Sequence, residues 1–151
     1  MEFGIDAIDY YLPKIVLKIS SLAEKRNIIP AKLEKGLGLK FMSLPDVNED
    51  TASMAANALL HLIDNNKINP TTIGRIYMGT ESALDASKPT ATYALAPVEK
   101  ILASTYGERC FKNCDVVDMT FACIGAVDAL ENCLDWVRCD PNRKAIVIAS
   151  R

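Results

Sequence analysis

The stretch DMTFACIGAVDAL, residues 118–130, decides the fold because its pattern changes abruptly at Cys123. Residues 116–119 form a short apolar run of the kind found in buried strands. From Val127 onward, apolar residues recur at helical spacing, and Gly125 stands where the helix would open. The segment therefore predicts a strand, a sharp turn that holds Cys123, and a helix.

Outside this segment, β-rich runs alternate with stretches of helical spacing. Strands are predicted at residues 3–12, 73–79, 116–119 and 144–149. Helices are predicted at residues 20–27, 30–35, 51–63 and 89–106, and Pro97 should kink or divide the last of these. A further helix is predicted after Gly125, with an apolar face that holds Val127, Leu130, Leu134 and Val137. Such alternation is typical of an α/β layered domain with largely parallel strand pairing.

The bulk composition indicates a globular protein. The chain has 151 residues, of which 50% are hydrophobic, and its net charge of -2 lacks the positive excess that nucleic-acid binding needs. The longest apolar runs are far shorter than the roughly 20 residues that cross a bilayer, and the acidic N-terminus does not resemble a signal peptide. We therefore expect a soluble, cytoplasmic protein that binds neither nucleic acid nor membrane.

The cysteine pattern predicts free thiols and no metal site. Disulfides seldom persist in the cytosol, and an odd number of cysteines cannot pair completely. A zinc site would normally show two closely spaced pairs of Cys or His ligands, and the chain offers one such pair. The five cysteines are Cys110, Cys114, Cys123, Cys133 and Cys139.

Cys123 is the candidate nucleophile. Backbone N–H groups at the start of a helix stabilise negative charge, so they would favour a thiolate and bind the oxyanion formed when a thioester is attacked. Ala122 and Gly125 would shape the turn that presents these groups. The alternative is that Cys123 is a small apolar side chain buried at a tight strand-to-helix junction.

Glu81 is the candidate general acid/base. It lies in GTESALDASKP, residues 79–89, just beyond a predicted strand, at the edge where α/β sheets usually carry their active sites. Proton transfer by this carboxylate would require partial burial. The alternative is a solvated acid near a helix start. His61, the one histidine of the chain, lies between two leucines of a helix and is predicted to be a helix-flank residue, not a partner of Cys123.

Several segments together resemble one family, the hydroxymethylglutaryl-CoA synthases of the thiolase superfamily. Their order and spacing match the family along nearly the whole chain. The segments are GIDAIDYYLPK (4–14), LAEKRNIIPAKLEKGLG (22–38), VNEDTASMAANAL (47–59), GTESALDASKP (79–89), RCF (109–111), FACIGAVDAL (121–130) and KAIVIAS (144–150).

The resemblance implies a reaction and a role for each candidate residue. In that family acetyl-CoA first acylates a cysteine, which matches Cys123. A glutamate that matches Glu81 then removes a proton from the acetyl methyl group. The carbanion attacks acetoacetyl-CoA, and hydrolysis releases 3-hydroxy-3-methylglutaryl-CoA (HMG-CoA). Acetyl-CoA and acetoacetyl-CoA are thus the implied substrates, with no metal or redox cofactor and with a homodimer as the implied assembly.

The resemblance also implies an architecture. Residues 1–151 would form a thiolase-like N-terminal domain, the first half of an αβαβα layered fold with a mixed, mostly parallel sheet. The family's catalytic histidine and most CoA contacts belong to the second half, so we expect a truncated chain whose exposed apolar face favours self-association. Many members have Asn and Tyr where this chain has Phe121 and Ile124, and Asp where it has Arg151.

Two other functions remain open at this point. One is a related condensing enzyme, either a ketoacyl synthase or a β-branching synthase that takes its acyl group from an acyl carrier protein. A ketoacyl synthase would still catalyse condensation without Glu81, because ketoacyl synthases use histidines instead. The other is a non-catalytic half-domain that binds a thioester or a partner, in which Cys123 would react no faster than Cys133.

Overall fold

A computed structural model describes residues 3–151, with Leu37 described by its backbone alone. The chain divides into two compact units, residues 12–50 and a larger unit made of the remaining residues. The strands are β1 (Ile15–Lys18), β2 (Phe41–Leu44), β3 (Arg75–Gly79), β4 (Asp115–Met119) and β5 (Ala145–Ala149). The helices are α1 (Ile19–Lys25), α2 (Pro30–Leu37), α3 (Thr51–Asn66), α4 (Thr90–Tyr106) and α5 (Gly125–Arg138).

The smaller unit pairs two short strands with two short helices. β1 and β2 are antiparallel, with Lys18 opposite Phe41. Pro30 opens α2, where its missing N–H costs nothing, and Gly38 follows the helix in a left-handed conformation with φ 68°. The two predicted helices are confirmed, whereas the sequence pattern predicted neither of the four-residue strands β1 and β2.

The larger unit is built on a three-stranded parallel sheet. β3 lies in the centre, with β4 on one side and β5 on the other. Gly79 pairs in register with Met119 of β4 and with Ala149 of β5, so all three strands end at one edge. That edge is where the loops with Glu81 and Cys123 begin.

Helices cover both faces of this sheet. On one face α3 and α4 pack over Ile76 and Met78, which are fully buried. On the other face α5 packs over Tyr77 through the small side chains of Ala129 and Cys133. The alternation along β3 follows the two-residue period of a strand that is buried on both faces. The predicted α/β fold class is confirmed, and no helix of residues 3–151 is long and apolar enough to cross a membrane.

The strand predicted at residues 3–12 is wrong. These residues belong to no strand, although Gly4 to Tyr11 line, together with β5, a groove of about 990 Å³. They are held to α3 by single contacts instead of a ladder: Asn65 Nδ2 donates to Asp9 Oδ2 at 2.8 Å. A strand needs hydrogen bonds to a neighbouring strand as well as a suitable residue pattern, and residues 3–12 pair with none, although β5 is an edge strand of the sheet.

Two helices add detail to the predictions. The predicted last helix is present as α5, but the residues of α5 that are buried against the sheet are Ala129 and Cys133, while Val127 of the apolar face is 55% exposed. Small residues let the helix approach the strands closely, and the larger side chains lie to the side. The predicted break at Pro97 does not occur: α4 continues through it, and the proline ring lies on the exposed side of the helix.

Candidate active site

The loop that carries Glu81 is tied to both neighbouring strands where it leaves β3. The backbone N–H of Thr80 donates to Met119 O at 3.1 Å, and the N–H of Ser150 donates to Gly79 O at 3.2 Å. Thr80 is buried, and its hydroxyl accepts from the Ser82 N–H at 3.0 Å. Glu81 is therefore held from both sides at the carboxyl edge of the sheet.

Cys123 lies in a 3-10 turn, Ala122–Ile124, that leads directly into α5. Phe121 O accepts from the N–H groups of Ile124 and Gly125, each at 3.2 Å. Ala122 has φ 47°, a left-handed conformation that is costly for alanine and is typical of sharp functional turns. The turn exposes the thiol of Cys123 to solvent, which rules out the alternative of a buried structural cysteine.

Two glycines bring the Glu81 loop and the Cys123 turn together. A methyl group on Gly79 would lie only 2.1 Å from the backbone nitrogen of Ala126. A methyl group on Gly125 would lie 2.4 Å from Met119 O and 3.6 Å from the Cα of Gly79. Backbone therefore packs directly on backbone at this point, and β3 contacts the Cys123 turn.

Glu81 forms an ion pair that the sequence did not indicate. Arg151 Nε lies 2.6 Å from Glu81 Oε1. The Glu81 side chain retains 29% of its exposure, whereas that of Arg151 retains 75%. The carboxylate is thus partly shielded from solvent, although Glu81 as a whole residue is exposed. An interaction between residues 70 positions apart leaves no local signal in a sequence, which is why it was missed.

His61 fastens the N-terminal segment to α3. Its Nδ1 lies 3.0 Å from Tyr10 O and must donate there, since a carbonyl oxygen only accepts. Its ring also contacts that of Tyr11 edge-on at 5.9 Å. These contacts agree with the predicted helix-flank role. Among residues 3–151, no group of three His, Cys, Asp or Glu side chains could hold a metal ion.

Comparison with known proteins decides the family. The model of the family described as hydroxymethylglutaryl-coenzyme A synthase N terminal matches residues 1–151. The chain belongs to the hydroxymethylglutaryl-CoA synthase family. The hydroxymethylglutaryl-CoA synthase of Haloferax volcanii is 37% identical over 150 residues, which are 97% of this chain and 33% of that protein.

Solved structures of hydroxymethylglutaryl-CoA synthases share the fold. MvaS in complex with 3-hydroxy-3-methylglutaryl coenzyme A is 30% identical with a TM-score of 0.83, over 97% of this chain and 33% of that one. An HMG-CoA synthase complexed with CoA is 29% identical with a TM-score of 0.79, over 99% of this chain and 35% of that one. The chain thus spans about a third of the length of these relatives.

The other thiols of the chain divide by burial. Burial raises the pKa of Cys114 to about 12 and that of Cys133 to about 11, and it also raises the pKa of Cys110. Cys114 Sγ donates to Ile73 O at 2.9 Å, which further engages the thiol. Cys139 is exposed like Cys123 and lies just beyond the opposite end of α5.

This division predicts the pattern of thiol alkylation. At pH 8, iodoacetamide should label Cys114 and Cys133 about 100-fold or more slowly than Cys139, because thiols with raised pKa stay protonated and their burial blocks access. Peptide mass spectrometry of timed samples measures the rates, and labelling in urea gives the control in which burial is absent. Equal labelling of Cys133 and Cys139 in the folded chain would show that α5 does not pack on the sheet.

Proposed function

We propose that this chain forms the acyl-enzyme site of a hydroxymethylglutaryl-CoA synthase, with Cys123 as nucleophile and Glu81 as general acid/base. One observation carries the proposal: an exposed cysteine in a strained turn and a partly buried carboxylate leave the same sheet edge across the Gly79–Gly125 contact. The proposed reaction needs these two groups: a thiol that takes up the acetyl group and a carboxylate that takes a proton from the acetyl methyl group.

The first step is transfer of an acetyl group to Cys123. The sulfur attacks the thioester carbon of acetyl-CoA, and the tetrahedral intermediate expels the CoA thiolate, which takes up a proton. The internal hydrogen bonds of the turn use the N–H groups of Ile124 and Gly125, so we propose that those of Ala122 and Cys123 donate to the oxyanion. The position before α5 also favours negative charge there, since the N-terminus of a helix carries a partial positive charge.

The second step forms the carbon–carbon bond. Glu81 takes a proton from the methyl group of acetyl-Cys123, and the resulting carbanion attacks the ketone carbon of acetoacetyl-CoA. The new alkoxide takes up a proton, and water then hydrolyses the thioester to Cys123, which releases HMG-CoA and the free thiol. Each step is polar, so we propose acetyl-CoA and acetoacetyl-CoA as substrates with no metal or redox cofactor.

Two further proposals concern the setting of the reaction. The relatives are about three times as long as this chain, and one of them is solved in complex with 3-hydroxy-3-methylglutaryl coenzyme A. We therefore propose that binding of acetoacetyl-CoA requires segments that correspond to the other two thirds of these relatives. We also propose a homodimer in the cytoplasm, where the five free thiols are compatible with a reducing environment.

Acetylation of the isolated chain tests the proposal. After incubation with acetyl-CoA, the intact mass should show a single acetyl adduct, and peptide mapping should place it on Cys123. Cys139→Ser is the matched control, because it removes the other exposed thiol and should leave the adduct in place. Cys123→Ser should lose the thioester adduct. A wild-type chain that stays unmodified, or one modified equally on Cys139, would overturn the proposal in favour of a non-catalytic domain.

A further inference from the structure

A carboxylate on β4 caps the helix that follows the Glu81 loop. The side chain of Asp118 accepts hydrogen bonds from the backbone N–H of Thr90 and from that of Ala91, the latter at 3.1 Å. These are the first two residues of α4, and Pro89, at the N-cap position, makes no side-chain cap. The cap that a helix normally receives from its own preceding residue thus comes from a strand 28 residues away.

The capped residue in turn holds the loop. Thr90 is fully buried, and its hydroxyl accepts from the N–H of Leu84 at 3.0 Å. At the other end of the loop, Thr80 donates its N–H to Met119 O. The loop of residues 80–89 is therefore fastened at both ends to two consecutive residues of β4, one through a side chain and one through the backbone.

The second of these residues, Met119, also leads into the Cys123 turn. Met119 ends the strand, Cys123 follows four residues later, and Met119 O packs against Gly125. Any shift of β4 therefore moves the Glu81 loop and Cys123 together. We propose that Asp118 is a positioning residue that keeps Glu81 in register with Cys123; this inference rests on the function proposed above.

Packing alone does not explain why residue 118 is an aspartate. Asp118 pairs in register with Met78, a buried apolar residue, and lies where β4 faces α4. An apolar side chain would fill such a place without the cost of desolvating a charge. The two N–H groups of α4 compensate that cost, and the arrangement fixes the entry point of the helix relative to the strand.

Amide hydrogen exchange tests the positioning directly. In Asp118→Asn the amide NH₂ competes for the place of one carboxylate oxygen, so the exchange of Thr90, Ala91 and Leu84 should accelerate about tenfold or more. Asp140→Asn is the matched control, since Asp140 also accepts a backbone N–H, that of Asn142 at 2.9 Å, outside this loop. It should change exchange at residues 80–91 by less than about twofold.

A second variant tests whether Asp118 holds the loop through Thr90 or only stabilises the region in general. Thr90→Val keeps the N–H that Asp118 accepts but removes the hydroxyl that holds Leu84. It should accelerate exchange of Leu84 and leave that of Ala91 unchanged. If Asp118→Asn accelerates the central strand residues Ile76 and Met78 as much as it accelerates Leu84, or leaves Leu84 unchanged, Asp118 does not position the loop and the inference fails.

The functional measurement follows on the acetylated chain in deuterated water. Asp118→Asn should slow deuterium uptake by the acetyl methyl group about tenfold or more, while the rate of Cys123 acetylation stays within about threefold of wild type. If the rates of deuterium uptake and of Cys123 acetylation fell equally, Asp118 would have only a structural role and the inference would fail. Failure of the wild-type chain to acetylate would overturn the proposed function, and the amide exchange would still decide whether Asp118 holds the loop.

Discussion

Replacing Gly79 with alanine is expected to destabilise the larger unit by about 3 kcal/mol or more and to lower its Tm by roughly 10 °C. The added methyl carbon would lie 2.1 Å from the nitrogen and 2.4 Å from the Cα of Ala126, and 2.6 Å from the carbonyl carbon of Gly125. All three are backbone atoms at the start of α5, so no side chain can rotate away. Either β3 or the first turn of α5 has to move.

The same change should remove the proposed acyl-enzyme site. Glu81 lies two residues after Gly79, and Cys123 lies two residues before Gly125, so separation of the two backbones separates the two candidate catalytic groups. Thermal unfolding followed by circular dichroism gives the stability, and acetylation at a temperature where the variant is folded gives the function.

Gly36→Ala is the control for the glycine substitution. Nothing lies within 4 Å of a methyl group at that position, which is inside α2. Alanine should therefore be neutral or stabilise by up to about 1 kcal/mol through helix propensity. A Gly79→Ala variant that melts within about 2 °C of wild type would show that the close contact between β3 and α5 does not limit stability.

Local pattern predicted the parts of the fold that local physics controls. The strand-turn-helix around Cys123 follows from a change of apolar period within a dozen residues, and each of the helices predicted by spacing is present. The position of Glu81 after a central strand also followed, because the carboxyl ends of parallel strands meet at one edge.

The features that the sequence did not predict depend on contacts between residues that are distant in sequence. The N-terminal segment has the composition of a strand, yet whether it pairs is decided by the neighbours available to it. The face of α5 that packs on the sheet is set by how closely Ala129 and Cys133 let backbones approach, which hydrophobic spacing ignores. The contact between Arg151 and Glu81 and the cap of α4 by Asp118 join residues 70 and 28 positions apart.

Replacing Glu81 with glutamine is expected to slow deuterium uptake by the acetyl methyl group of acetyl-Cys123 by about 10²–10⁴-fold, the range that a positioned general base contributes. Glutamine keeps the size of the side chain and its hydrogen-bonding oxygen but cannot take up the proton. Acetylation of Cys123 itself should change little, because that step needs the thiol and the oxyanion donors of the turn. Mass spectrometry of the acetylated peptide, sampled over time in deuterated water, measures both rates.

Two controls separate proton transfer from the local charge. Glu131→Gln makes the same substitution on the exposed side of α5 and should leave deuterium uptake unchanged. Arg151→Gln removes the partner 2.6 Å from the carboxylate but leaves the carboxylate, and it should change the rate less than about fivefold because the arginine is 75% exposed. If Glu81→Gln and Arg151→Gln slowed uptake equally, the ion pair would be the essential element and Glu81 would not be the base. If neither variant slowed deuterium uptake, a group other than Glu81 would take the methyl proton. The assignment of Glu81 as base would then fail, while that of Cys123 as nucleophile would stand.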